Sequence, residues 1–389
     1  MKLAKRTEKV HFSGTRKYAE KAKELKKRGI LNTFGQQPDT SKHIKEAAKK
    51  FIDGEEAAKY TDQSGLDNLR KIYSKKVKLE NKIEADPDTD IIVTIGGKEA
   101  LFLAYMSILN PGDEVIIQDP VWPSIAQTIP IAGGIPVYLK LKEEDEWGIT
   151  EGEIEKLITS KTKMVVINDP HNPTGTMYDE DTVKYIADVV KENDLVLVTD
   201  ECYEKTIDPG KKHYSIASQP GMKERTVSVF TTTKLYNMYG WRVGFSISNK
   251  EITEKMIAIH SQIVGCAPSI SQAGAVAAIE RDIASGDMSV KNFNEKYKES
   301  RETIFDFIND IPKVSCVLGR AGFWMFPNFS EFGMSSIKLH EYLYEYGFSL
   351  VPGIEFGPNG ENHLRLSYGL NIEEIKQSLE KLKIALSKL

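Results

Sequence analysis

Lys234 follows the apolar run Thr226-Val-Ser-Val-Phe230 and precedes an aromatic, glycine-containing segment that ends in Gly240-Trp241-Arg242. Upstream, Asp200 closes a second apolar run, Leu195-Val-Leu-Val-Thr199. Taken singly, the lysine reads as a surface residue and the aspartate as a helix cap. Together they read differently. A lysine beside an apolar wall is neutral often enough to form an imine with an aldehyde. A carboxylate at the C-terminal end of a buried strand lies on the edge where open α/β sheets bind ligands. Arg242 adds a cation for a phosphate. An amine for an aldehyde, a carboxylate for a protonated ring nitrogen and a cation for a phosphate suit one common cofactor, pyridoxal 5'-phosphate.

Other residues extend that chemistry. In Ile91-Ile-Val-Thr-Ile95-Gly96-Gly97-Lys98 a strand runs through two glycines into a helix, whose first amides have no internal partner and so favour an anion. A Gly-Gly turn is otherwise just a turn. Tyr203 and Asn172, the latter in Asn172-Pro-Thr-Gly175, would hydrogen-bond the phenolic oxygen of the cofactor. Thr231 and Thr233 offer hydroxyls to its phosphate. Trp122, in Asp119-Pro-Val-Trp122-Pro, either stacks on the pyridine ring or is an ordinary buried tryptophan. Arg365 sits between two leucines of a predicted strand and so points away from them. It grips a carboxylate bidentately or is a surface-strand arginine.

These residues need elements to hold them. Between residues 91 and 248 short continuous apolar runs alternate with helical patterns, the signature of a mostly parallel sheet covered on both faces. The runs are Ile91–Ile95, Glu114–Gln118, Lys163–Asn168, Leu195–Thr199, Thr226–Phe230 and Val243–Ile247. After about residue 250 come long amphipathic segments, with strand-like pieces at Gly322–Phe326 and Asn362–Ser367, predicting a second, α+β unit. Asn371-Ile-Glu-Glu374 reads as a helix start that places Ile375, Leu379, Leu382 and Leu386 on one buried stripe. A chain of 389 residues exceeds the usual single core. The expected division is a large domain over 45–275 and a small one over 1–44 with 276–389, joined by a long helix.

Composition narrows the function classes. With 52 basic and 56 acidic residues, a net charge of −4, there is no basic field for nucleic acid. No apolar stretch is long enough to cross a bilayer, and the charged N-terminus has no signal-peptide core. Three cysteines in no metal spacing fit a reducing, cytoplasmic compartment. Seven scattered histidines make no H-x-x-x-H pair, so a metal enzyme is not expected. Cys202 reads as a packing residue.

As an ordered set, Tyr60-Thr-Asp-Gln-Ser-Gly65 with Leu69-Arg70, Gly96-Gly97-Lys98, Trp122, Asn172-Pro-Thr-Gly, Asp200 with Tyr203, Thr231-x-x-Lys234, Gly-Trp-Arg242 and Arg365 resembles the class I and II aminotransferases, over residues 10 to the end. The resemblance implies the α/β fold type I of PLP-dependent transferases, a large domain with a mostly parallel seven-stranded sheet plus a smaller α+β domain closing over substrate. It implies Lys234 as the Schiff-base lysine, Asp200 against the pyridine nitrogen, and Asn172 and Tyr203 on the phenolic oxygen. Gly97, Lys98, Thr231 and Arg242 would surround the phosphate, and Arg365 would bind the substrate α-carboxylate. Tyr60 would reach the phosphate of a neighbouring subunit, implying a homodimer with shared sites.

The chain departs from the pattern in three places. The segment Phe34-Gly35-Gln-Gln-Pro38-Asp39 has one extra residue where Gly35 would approach substrate. Thr231 replaces a serine, and the turn before Asn172 carries Asp169 and His171. In the aspartate aminotransferase subgroup, which this chain resembles most, Lys98 with a hydroxyl from Ser13 or Thr15 would read a side-chain carboxylate. That favours aspartate or glutamate, exchanged with a 2-oxo acid by a ping-pong mechanism. Aromatic or broad specificity, a carbon-sulfur β-lyase and a cyclopropane-forming synthase use the same residues. A noncatalytic PLP-binding regulator would need a DNA-binding domain, for which there is no room before residue 40.

Overall fold

All six apolar runs form strands, buried along most of their length, as continuous hydrophobic runs in a two-faced sheet should be. The computed structural model describes residues 12, 14–35, 38–285 and 288–389. The chain opens with helices α1 (Gly14–Lys27), α2 (Lys42–Ile52) and α3 (Asp67–Glu80). Strands and helices then alternate: β1 (Ile91–Thr94), α4 (Gly97–Ile108), β2 (Glu114–Asp119), α5 (Pro123–Ile131), β3 (Ile135–Lys140), β4 (Thr162–Asn168), α6 (Glu180–Glu192), β5 (Val196–Asp200), β6 (Thr226–Thr231) and β7 (Gly244–Ile247).

These seven strands form one sheet in the order β1-β7-β6-β5-β4-β2-β3. Only β7 runs antiparallel, to both β1 and β6. The remaining pairs are parallel. The apolar runs alone gave six strands. β3 escaped because it is an edge strand, mostly exposed or half-buried, and contains Pro136, which only an edge or strand start tolerates.

Helices α7 (Lys250–Ile263), α8 (Ser269–Ser285) and α9 (Met288–Asn309) follow, the last two flanking the two undescribed residues where one long connecting helix was expected. Strand β8 (Trp324–Met325), helix α10 (Ser336–Glu345), strands β9 (Val351–Pro352) and β10 (Leu364–Ser367), and helix α11 (Ile372–Leu386) complete the chain. β10 lies between β8 and β9, antiparallel to both. The predicted strand at Gly322–Phe326 shrinks to two residues, and β9 was not foreseen: strands this short carry no periodicity.

Local signals set the helix ends. Asp179, Asn249 and Ser335 cap α6, α7 and α10 by accepting from the amide three residues on, at 2.8, 3.0 and 3.3 Å. Asn371 does the same for α11 at Glu374, and Ile375, Leu379, Leu382 and Leu386 are all buried on its inner face. That face joins the core under β8 and β10.

Candidate active site

The parallel strands β4, β5 and β6 deliver their C-terminal ends to one place: Asn168 pairs with Asp200 across β4 and β5, and Asp200 with Val229 across β5 and β6. Outside those ends lies a cavity of about 200 Å³. Of the residues picked out from sequence, Thr15, Trp122, Asn172, Asp200, Tyr203, Lys234 and Arg365 line it. Cys202, Phe323, Trp324 and Ser367 complete the lining. A larger groove of about 620 Å³ beside Asp145 and Arg320 contains no lysine and none of these groups.

Lys234 sits within the turn after β6. Its Nζ lies 5.6, 5.0 and 5.6 Å from the ring centroids of Tyr203, Tyr239 and Phe323. Burial pushes its amine down to about 8, the Arg365 and Arg242 guanidiniums push the same way, and Asp200 opposes them. Asp200 is buried at the end of β5, where its carboxylate accepts from the Cys202 amide at 3.3 Å. Burial raises its pKa, and the Cys202 hydrogen bonds and the Lys234 charge act against that rise. Cys202 itself is an inert thiol, its pKa driven well up by burial and by Asp200.

Arg365 enters from β10. Its Nη1 donates to Asn172 Oδ1 at 3.0 Å, and its guanidinium carbon sits 4.8 Å from the Phe356 ring centroid. Its buried Nε has no protein partner. Burial lowers its pKa to about 10, so it remains cationic at neutral pH. The Asn172 amide is fixed in turn by Asn168 Oδ1 at 2.8 Å.

Gly97, Thr231 and Arg242 are not in the lining; Gly97 adjoins the wall residue Cys202, and Arg242 packs against Gly96. Gly96, at φ 97°, begins α4 with no side-chain cap on its first amides. A Cβ there would stand 2.3 Å from Arg242 Nη2, and one on Gly97 would stand 3.0 Å from Cys202 Sγ. Only glycines leave this helix start open to a ligand. Arg242 is held at φ 56°, with Nη2 on the Ile95 carbonyl and Nη1 on the Tyr239 carbonyl, both at 3.2 Å. A left-handed arginine is the kind of strain that clusters at ligand sites. Thr231 Oγ1 bonds Thr233 Oγ1 at 2.7 Å. The donor set of a helix N-terminus, hydroxyls and a guanidinium fits a phosphate, and Lys234 with Asp200 beyond it fits the aldehyde and ring nitrogen of pyridoxal 5'-phosphate.

Other predicted residues lie outside the lining. The Lys98 side chain is on the exposed rim, its Nζ 5.1 Å from the Trp122 ring centroid. Gly35 packs against Gly369, whose amide donates to the Phe34 carbonyl at 2.7 Å, and is not part of the cavity wall. Gln36 and Gln37 of that loop lie outside the described residues. Tyr60 is 94% exposed and touches no part of the cavity. Ser13 lies outside the described residues. His171 is fully buried, accepting from Thr174 Oγ1 at 2.7 Å and donating to the Pro120 carbonyl at 2.9 Å, and burial drops its pKa to about 4. It is a neutral brace for the Asn172 turn.

Sequence reasoning missed the ring wall of Phe323 and Trp324, the Phe356 shelf under Arg365, and a buried cluster of Asp169, Glu201 and His213 next to the ends of β4 and β5. The aromatic run at 323–324 was the available signal for the first. Nothing in local spacing points to the others.

A family model described as aminotransferase class I and II matches residues 29–382. The chain belongs to this family. The aminotransferase is 36% identical over 394 residues to an aspartate aminotransferase of Bacillus subtilis (strain 168), covering 98% of each chain. It is 33% identical to aromatic-amino-acid aminotransferase 2 of Thermococcus litoralis, again with 98% of each covered. The aspartate aminotransferase from Thermus thermophilus with maleate superposes on it with a TM-score of 0.93 and 30% identity, over 99% of this chain and 100% of that one. The fold is the α/β fold type I of the PLP-dependent transferases. Among the described residues no helix is long and apolar enough to cross a membrane.

Proposed function

We propose that this aminotransferase moves the α-amino group of aspartate or glutamate to a 2-oxo acid in a ping-pong cycle, with pyridoxal 5'-phosphate held by Lys234. The observation that carries the reading is the enclosure of the Lys234 amine, Asp200 and Arg365 in one cavity. When bound, the cofactor supplies an electron sink for the charge left on the substrate α-carbon. The protein's residues do the rest. The Lys234 amine, lowered to about 8, is neutral in a useful fraction of molecules near pH 7 and so serves as a nucleophile. Once the substrate amine displaces it, Nζ takes and returns the α-proton. Asp200 would oppose the positive ring nitrogen, and Asn172 and Tyr203 would hydrogen-bond the phenolic oxygen. Arg365, steadied by Asn172 and Phe356, grips the α-carboxylate.

Thr15 in the cavity and Lys98 on its rim favour a second carboxylate on the substrate. The maleate bound by the Thermus relative is itself a dicarboxylate. An aromatic substrate is the second reading, favoured by the Phe323 and Trp324 wall and by the Thermococcus relative's name. Steady-state kinetics separate them. Aspartate and glutamate should exceed phenylalanine and tyrosine in kcat/KM, and Lys98→Ala should depress the acidic substrates alone. A preference for aromatic donors would replace the dicarboxylate reading.

The depressed amine has a pH consequence. Protonated lysine cannot attack an aldehyde, so cofactor attachment to the cofactor-free protein should speed up as pH rises and level off above about 8. Stopped-flow absorbance measures this. A rate still climbing past the ordinary lysine value of 10.5 would show that burial does not lower this amine.

The same reading includes a homodimer. Tyr60 is exposed, as are Ile263 and Ile270 on α7 and α8, and the neighbouring Thr61 Oγ1 accepts from Gln272 Nε2 of α8 at 3.3 Å. From there Tyr60 would reach a phosphate in the partner's site. A solution mass twice that of the chain is expected, and a single-chain mass would contradict it.

A further inference from the structure

Next to the ends of β4 and β5, outside the cavity lining, three ionisable side chains are buried together. His213, on the connection after β5, places Nδ1 3.2 Å from Asp169 Oδ2 and Nε2 2.9 Å from Glu201 Oε2. The three side chains are 2 to 5% exposed. Nε2 hydrogen-bonds Glu201, while Nδ1 stands within ion-pair range of Asp169 without an aligned hydrogen bond, so the ring sits between two carboxylates, a setting that favours the imidazolium. Burial opposes that charge, but the two carboxylates outweigh it and hold His213 up at about 10.

Each carboxylate is further tied to the strand ends that build the site. Glu201 Oε1 accepts from Thr199 Oγ1 at 2.7 Å and Oε2 from Ser215 Oγ, while Thr199 Oγ1 also bonds Ser228 Oγ of β6 at 3.1 Å. Asp169 Oδ1 accepts from the Tyr178 amide at 3.1 Å. The Asp169 amide donates to the Asp200 carbonyl at 3.2 Å, and Asn168 Nδ2 reaches the same carbonyl at 3.0 Å. Asn168 also fixes the Asn172 amide. Asp169 and Glu201 therefore lie next to Asn168, which holds the cavity residue Asn172, and next to Asp200, which lines the cavity itself.

We propose that His213 is a positioning residue for Asp200: clamped between Asp169 and Glu201, it locks the ends of β4 and β5 and neutralises the two carboxylates nearest the one that must stay ionised. The proposal rests on the role assigned to Asp200 in the preceding section. Three carboxylates, Asp169, Asp200 and Glu201, fall within adjacent turns of buried backbone, and like charges raise one another's proton affinity. The ionisable groups facing the His213 ring are Asp169 from the end of β4 and Glu201 from the end of β5. With the imidazolium gone, Asp200 would hold a proton more readily and lose its grip on a positive ring nitrogen.

The test is His213→Gln in the full-length protein, which keeps a polar side chain and removes the charge. Expected are a fall in kcat of ~10- to 100-fold with KM changed far less, and a cofactor dissociation constant raised ~10-fold. The acid limb of the kcat profile should move to higher pH by roughly one unit, because Asp200 then needs a higher pH to ionise. Cofactor affinity, read by fluorescence titration of the cofactor-free protein, is independent of turnover. A variant that melts earlier but keeps wild-type kcat, cofactor affinity and acid limb would overturn the proposal and leave a structural histidine. If the glutamine variant does not fold, Asp169→Asn tests the same clamp with the opposite electrostatic sign: a carboxylate is lost while the imidazolium stays, so the acid limb should move to lower pH, and a wild-type limb and kcat would overturn the proposal. Asp200→Asn run alongside separates the two ideas: wild-type turnover there would sink the Asp200 reading itself.

Discussion

Lys234→Ala is expected to lower kcat with aspartate and 2-oxoglutarate by at least ~10²- to 10⁴-fold, the contribution of a positioned general base alone, while leaving the fold intact. Loss of the nucleophile adds to that figure. The fold should survive because the ammonium is enclosed by the rings of Tyr203, Tyr239 and Phe323. Removing a desolvated cation relieves a burial cost rather than creating one. Steady-state kinetics and a thermal melt of the same preparation check both halves. Wild-type turnover by the alanine enzyme would end the assignment of Lys234.

Arg365→Ala should act on a different parameter. A hydrogen bond to a charged group is worth ~1.5–3 kcal/mol, so a two-bond grip on a carboxylate corresponds to ~10²- to 10⁴-fold in kcat/KM. The loss should fall on every amino-acid substrate alike, since all share the α-carboxylate, and should appear chiefly in KM. Arg365→Lys should recover little: a point charge cannot replace the planar fork that bonds Asn172 Oδ1 and lies over Phe356. An alanine variant with unchanged kcat/KM for aspartate would remove Arg365 from substrate binding.

The residues that touch the cavity were largely readable from sequence because buried parallel strands end in them. Asp200 and Lys234 each follow a continuous apolar run, and the run itself announces the strand. Gly96 and Gly97 announce an open helix start for the same reason: a strand, a break and a helix follow in immediate order. Edge strand β3 and the two-residue strand β9 were invisible because exposure or brevity erases the pattern, whereas β8 was foreseen within the longer Gly322–Phe326 piece. Phe356 and His213 were missed for another reason. Each acts through a partner on another element, Arg365 for one and Asp169 for the other, and only the folded chain brings those pairs together. Gly35 packs on Gly369 outside the cavity lining, a placement that its motif position alone does not give.

The most direct measurement is a single half-reaction: cofactor-loaded enzyme mixed with excess aspartate and no oxo acid, following cofactor absorbance, oxaloacetate and ammonia together. Transamination through Lys234 predicts oxaloacetate equimolar with the chain, loss of the yellow absorbance, no ammonia, and recovery of the absorbance when 2-oxoglutarate is added. Continuous release of ammonia, or no oxo acid from aspartate, glutamate, tyrosine or phenylalanine, would contradict it and point to elimination chemistry at the same lysine.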